Sequence, residues 1–263
     1  MSELTRSEIA MPNFTTDLSS EVALVTGATS GLGWHFARVL ASCGAKVVIT
    51  GRRAERLTEL ASVIESDGGQ AYPLTLDMTS ADNIVDVVNQ SEEHFGTITI
   101  LVNNAGIPDA QFATKMEVDL IDRVIGTNLR GPFILTTEVA KRLIAAKRPG
   151  RVVNLSSIAA FNYAGNGAAL YSVTKAAMVR MTEALAVEWS RYKINVNGIA
   201  PGVFHSEMTQ GMIDRVGDMS SHYPRKRLGV PSQLDSTLLY LCSPSSECVT
   251  GTVIKVDDGQ EIR

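Results

Sequence analysis

The first unit of the chain constrains its fold more than any other stretch. Residues 22–26 (Val-Ala-Leu-Val-Thr) form a short apolar run that reads as a buried strand. The turn Thr26-Gly27-Ala28-Thr29-Ser30-Gly31-Leu32-Gly33 follows, and then Phe36, Val39, Leu40 and Cys43 recur at helical spacing. Glycine makes such a turn tight and lets a ligand approach the backbone. The free N–H groups and dipole at the start of the helix favour an anion there. The alternation then repeats. Apolar runs at 46–50, 71–76, 98–102, 151–155, 194–199 and 252–256 are separated by amphipathic segments, which predicts βαβ units. A parallel sheet with helices on both faces follows from that order.

The chain has 263 residues, enough for one large α/β domain. No linker, repeat or low-complexity stretch divides residues 21–263, so a single doubly wound domain is expected. Residues 1–20 carry Glu3, Glu8, Pro12 and Asp17 and lack a signal peptide's basic start and apolar run; they read as a flexible arm. Hydrophobic residues make up 44% and charged residues 20%, an ordinary globular balance. A net charge of −4 argues against nucleic acid as a partner, and no apolar run is long enough to span a membrane. Three cysteines (Cys43, Cys242, Cys248) fit a reducing cytoplasm better than a disulfide framework. His35, His94, His205 and His222 are scattered without metal-ligand spacing, so no metal is expected.

The glycine spacing is G-x-x-x-G-x-G, and Gly27, Thr29, Ser30, Gly31, Leu32 and Gly33 would cradle a dinucleotide pyrophosphate. At the end of the second strand, Gly51 stands where an acid often binds the ribose 2′-hydroxyl, and Arg52-Arg53 follow. Guanidiniums without a carboxylate suit a 2′-phosphate, so NADP(H) is favoured over NAD(H). The alternative is that Arg52, Arg53 and Arg56 are a solvated helix start. Asp77-Met78 ends the third strand; Asp77 would accept from an adenine amine or cap its own turn. Asn103-Asn104-Ala105-Gly106 closes the fourth strand and reads as a cofactor floor or as a turn without a ligand. Tyr171 and Lys175 are four residues apart, on one helix face. A phenol titrates near ~10, and a neighbouring ammonium would bring it down toward the range of acid–base catalysis. The alternative is an exposed pair on a helix surface.

Taken together, the glycine pattern, Asn103–Gly106, Asn128, Ser156-Ser157, Tyr171/Lys175 and Pro201-Gly202 resemble the short-chain dehydrogenase/reductase family in type and order. The resemblance runs from about Val22 to Gly259 and implies a single-domain Rossmann fold. It implies that Asn128, Ser157, Tyr171 and Lys175 are catalytic. Ser157 would bind the substrate carbonyl, with Ser156 as a conceivable substitute, and Tyr171 would exchange the proton. Lys175 would also hold the nicotinamide ribose, and Asn128 would hold a relay water. Asn104, Ala105, Gly106, Pro201, Gly202, Val203 and Ser206 would line the cofactor, with the Val203 backbone meeting the carboxamide.

Ser157 precedes Tyr171 by fourteen positions where relatives show thirteen, which places one inserted residue within 161–170. Segment 204–228, with Met208, Met212 and Met219, resembles the family's mobile substrate lid. Val256-Asp257-Asp258-Gly259 departs from the family's Val-Asp-Gly-Gly, with an aspartate replacing a turn glycine. The resemblance further implies hydride transfer between a nicotinamide and a small-molecule ketone or secondary alcohol. With NADP(H) the direction is reduction, with a 3-oxoacyl thioester as a candidate. Sugar acids, steroids and simple alcohols are the rivals, and a catalytically idle nucleotide sensor or scaffold is the alternative of another class. Relatives imply a homotetramer or homodimer paired through the helix after Asn128, the Tyr171 helix and the last strand and helix.

Overall fold

The structure is a computed structural model that describes residues 14–163, 165 and 167–261. The expected arm falls outside the described residues as far as residue 13. Beyond it Leu18 is fully buried, and its N–H donates to the Cys43 carbonyl at 2.9 Å.

Among the described residues seven strands form one parallel sheet: β1 (Val22–Val25), β2 (Lys46–Gly51), β3 (Gln70–Thr75), β4 (Ile100–Asn103), β5 (Gly150–Leu155), β6 (Ile194–Pro201) and β7 (Val253–Val256). Their spatial order is β3-β2-β1-β4-β5-β6-β7. Order reverses between β1 and β4, the position at which open parallel sheets bind ligands beyond their carboxyl ends. The helices are α1 (Gly31–Ser42), α2 (Ala54–Ser66), α3 (Ala81–Phe95), α4 (Val118–Ile125), α5 (Gly131–Ala146), α6 (Ala169–Trp189), α7 (Glu207–Val216) and α8 (Asp235–Cys242).

Alternation along the strands divides the core into two layers. Ala23, Val25, Val47, Ile49, Ile100 and Val102 face a cluster with α1, α2 and α8. Val22, Leu24, Val48, Leu101 and Val152 face the opposite cluster with α3, α5 and α6. The result is the expected doubly wound Rossmann fold. Ser80 caps α3, its hydroxyl accepting from Asn83 N–H.

The helical stretch from residue 118 to 146 is interrupted just before Gly131-Pro132. Residues Gly126–Arg130 form a π-turn between α4 and α5, and Pro132 sits in the first turn of α5, where it needs no N–H partner. Gly131 is required by packing: a Cβ there would lie 2.2 Å from the Met78 carbonyl oxygen. Inside segment 204–228, residues 207–216 are helical, an element that the sequence reading treated only as part of a lid.

Candidate active site

The glycine turn is tied to the end of β4 by a threonine. Thr26 Oγ1 accepts from the N–H groups of Asn104 and Ala105, each at 3.0 Å. Asn104 Nδ2 donates back to the Thr26 and Gly27 carbonyls at 2.8 and 3.2 Å. Space there is minimal: a Cβ on Gly33 would lie 2.3 Å from the Gly27 oxygen. Gly27, with φ +68°, adopts a conformation that other residues rarely take. Ser30 occupies the N-cap of α1 without capping it, and the first turn carries no acid. The N–H groups at that helix start therefore lack a side-chain acceptor.

Next to them lies Arg53. Its Nη2 donates to Thr29 Oγ1 at 3.0 Å and pairs with Glu207 Oε2 at 3.0 Å. Glu207 also bonds Ser30. Partial burial raises the Glu207 carboxyl, but the bonds from Arg53 and Ser30 outweigh it and hold the group below its usual range. A carboxylate of the chain thus already rests where an anion was expected. Arg52 is exposed. Arg56 lies 4.8 Å above the Trp34 ring, which explains that bulky residue after Gly33 as a cation–π platform. Asp77 accepts from the Thr79 backbone and hydroxyl at 2.9 and 2.8 Å, so it caps its own turn, and those bonds hold its carboxyl below the usual range. Met78 is buried behind it.

Beyond the carboxyl ends of β4 and β5, four side chains converge. Asn128, in the π-turn, is buried; its Oδ1 accepts from Ile107 N–H at 2.8 Å, and its Nδ2 donates to Ile107 O at 2.9 Å and Thr174 Oγ1 at 3.3 Å. Lys175 Nζ donates to the Leu155 carbonyl at 2.7 Å and lies 5.5 Å from the Tyr171 ring centre. The Ser157 hydroxyl donates to the Tyr171 phenol. A methyl built on Gly106 would sit 3.5 Å from Lys175 Nζ and 3.6 Å from Asn128 Oδ1, in a gap those groups share. Ser156 is turned away, its hydroxyl donating to the Lys175 carbonyl at 2.8 Å, so it anchors the helix and offers no substitute for Ser157.

The electrostatics differ from the expectation. Burial pushes the Lys175 ammonium down to about 8. The Tyr171 phenol is raised, not lowered: burial dominates, the Ser157 bond opposes it, and the Asp109 carboxylate raises it further. The Lys175 ammonium, tied to the Leu155 carbonyl, does not offset that burial.

After β6, Gly202 is confined, since a Cβ there would lie 2.9 Å from Asp257 Cα. Both backbone groups of Val203 are bonded to Gln260: Val203 N–H donates to Gln260 Oε1 at 2.6 Å, and Gln260 Nε2 donates to Val203 O at 3.2 Å. The groups expected to meet a carboxamide thus meet the side-chain amide of Gln260. Ser206 caps α7, accepting from Thr209 N–H at 3.1 Å. In segment 161–170, where the inserted residue was expected, residues 164 and 166 lie outside the described residues.

Sequence reading missed Asp109, Gln260 and a buried amide chain in which Asn103 Nδ2 donates to Thr136 Oγ1 and Asn154 Oδ1, each at 2.8 Å. Asn103 therefore ties β4 to β5 and α5 and does not face the cofactor floor. Only contacts between distant elements reveal these roles. Among the described residues no helix is long and apolar enough to cross a membrane, and no cluster of three His, Cys, Asp or Glu side chains could hold a metal.

Known proteins resemble this chain over most of its length. The family model for short chain dehydrogenase matches residues 21–216. Gluconate 5-dehydrogenase of Gluconobacter oxydans is 36% identical over 92% of this chain and 95% of its own length. The 3-oxoacyl-acyl-carrier-protein reductase FabG of Thermotoga maritima is 35% identical over 92% of this chain and 98% of its own. A variant of actinorhodin polyketide ketoreductase, solved with NADPH, superposes with a TM-score of 0.87 at 31% identity, covering 93% of this chain and 98% of that one. The chain therefore belongs to the short-chain dehydrogenase/reductase family of oxidoreductases, which act on alcohol and ketone groups with NAD(P).

Proposed function

We propose that the chain is an NADPH-dependent ketone reductase acting on a 3-oxoacyl thioester, with Tyr171 as its proton donor. The observation that carries the reading is the meeting of Tyr171 with Ser157 and Lys175 at the carboxyl edge of the sheet. The residues fit a dinucleotide. The α1 N-terminus has no capping side chain, Arg53 already holds an anion, and the gap beside Gly106 opens between Lys175 and Asn128. When bound, the cofactor supplies the hydride from its nicotinamide ring.

In this reading the Ser157 hydroxyl orients the carbonyl oxygen, and the Tyr171 phenol gives it a proton as negative charge develops there. Lys175, fixed by the Leu155 carbonyl beside Gly106, would hold the nicotinamide ribose. Asn128 pins Ile107 and keeps the floor of the site in place. A preference for NADPH is supported by Gly51, whose Cβ would lie 2.6 Å from Thr29 Cγ2 and so leaves no room for a ribose-binding acid. Similarity to FabG and to the NADPH-bound ketoreductase supports the same choice. The cytoplasmic location and homotetrameric state of this reading rest on the cysteine usage and on the exposed Phe133, Val173 and Val187 of α5 and α6.

Similarity to gluconate 5-dehydrogenase favours a second substrate class, the oxo sugar acids. Steady-state kinetics with NADPH and NADH on an acetoacetyl thioester and on a 5-oxo sugar acid separate the two. The reading expects the thioester to be preferred, and kcat/KM with NADPH to exceed that with NADH at least about tenfold, the factor one charge-assisted bond supplies. R53A should erase that ratio. A preference for NADH, or turnover of the sugar acid alone, contradicts it.

A further inference from the structure

One buried carboxylate reaches the Tyr171 helix from outside it. Asp109 lies in the loop after β4, is 3% exposed, and its Oδ2 accepts from the N–H groups of Leu170 and Tyr171 at 2.8 and 3.1 Å. Its Oδ1 accepts from Ala110 N–H at 2.9 Å. The N-cap residue of α6 is Ala168, which has no side-chain acceptor. The first turn of α6 is thus capped in trans, by a residue sixty-two positions before Tyr171. Ala110 beside it adopts φ +54°, a left-handed conformation costly for a residue with a side chain, and its carbonyl accepts from Arg215 of α7 at 3.2 Å. Three segments therefore meet here: the β4 loop, the helix bearing Tyr171, and α7.

We propose that Asp109 is a positioning residue for Tyr171, fixing the start of α6 and bringing a buried negative charge to the helix that bears the phenol. The inference rests on the reading of Tyr171 as proton donor. Its physical basis is twofold. Two backbone bonds to a carboxylate hold the first turn, including Tyr171 itself, against a loop that leaves directly from the sheet. The negative charge, screened little by solvent, opposes a second negative charge on the phenol. Among the described residues, the Thr174 hydroxyl donates to the Tyr171 carbonyl at 2.8 Å. Lys175 lies on its own helix, the Ser157 hydroxyl donates from the β5 loop, Arg215 approaches Ala110 from α7, and the Tyr163 hydroxyl accepts from Ala168 N–H at 3.4 Å. Asp109 is the carboxylate whose charge raises the phenol.

The sign follows directly. Removing the carboxylate charge makes the phenolate easier to form, so ionisation of Tyr171 moves to lower pH. The test compares wild type, Asp109→Asn and Asp109→Ala. Tyr171 is followed by NMR of ring-labelled tyrosine, its Cζ resonance assigned by loss in Y171F, and the pH profile of kcat/KM is measured alongside. In both variants the Tyr171 titration should move to lower pH, and the alkaline limit of ketone reduction should move with it. In Asp109→Ala kcat at neutral pH should fall about tenfold. Asp109→Asn, which keeps one acceptor, should recover most of that loss while KM for cofactor stays near wild type. A Tyr171 titration unmoved in both variants overturns the proposal, as does an equal loss of kcat in both with an unmoved pH limit. If the wild type turned over no ketone, the reductase reading would fail, and the NMR titration would still decide the role of Asp109.

Discussion

Lys175 is the residue at which burial and charge compete most openly. It is 5% exposed, its ammonium donates to the Leu155 carbonyl, and burial pushes it down to about 8 from an ordinary 10.5. The unfolded chain therefore holds this proton more tightly than the folded one. Between pH 8 and 10.5 the unfolded state carries the extra proton, so the lysine's cost to stability is full below that window and fades as pH rises through it. Urea unfolding of wild type and K175M at pH 7 and pH 10 should show the wild type gaining relative to the variant, by on the order of 2–3 kcal/mol. A difference that is the same at both pH values would contradict the assigned burial. The spacing of Tyr171 and Lys175 was legible in the sequence because a helix puts such residues on one face. The direction of the phenol's shift was not, because burial and the approach of Asp109 depend on elements far away in the chain. Gln260 was illegible for the same reason: it reaches Val203 only after the chain has completed the sheet.

At the scale of elements, strands and most helices followed the apolar periodicity to within a few residues, since the strands alternate between the two core layers and the helices pack on one of them. Two departures have local causes. The π-turn at Gly126–Arg130 buries Asn128 within an otherwise helical pattern, which hydrophobic spacing does not encode. Helix α7 carries too few buried apolar residues to stand out, although Ser206 gives it a real N-cap. Segment 204–228 is tethered by ion pairs at both ends. Glu207 pairs with Arg53 at 3.0 Å, and Arg225 and Arg227 pair with Asp258 at 2.8 and 2.7 Å. Asp258 holds φ +54° at the position where the family resemblance expects glycine, so the turn keeps a strained residue that carries both arginines. If the segment is a lid, D258G should loosen it while relieving the turn. Hydrogen exchange in 207–216 should rise up to about fivefold, the factor exposed ion pairs are worth, with little change in the thermal midpoint. Unchanged exchange there would show that the pairs do not restrain the segment.

Across the whole molecule, the reversal of strand order between β1 and β4 brings the glycine turn, the Asn104 floor and the Tyr171 helix to one edge, although they are spread over more than a hundred residues. That convergence was predictable from the βαβ order alone. The outer faces of α5 and α6 are less finished. A shallow groove there is lined by Phe133, Ile144, Leu185 and Trp189, and Phe133 and Val187 are 48% and 79% exposed. A second copy would cover such a surface, so light scattering at micromolar concentration should give a tetramer, or a dimer, for the wild type and a smaller species for F133E. A monomeric wild type would contradict that pairing. The reductase reading as a whole stands on one side chain. With NADPH and an acetoacetyl thioester, Y171F should lose about 10²–10⁴-fold in kcat while binding NADPH as the wild type does. Turnover by Y171F at the wild-type rate would contradict it.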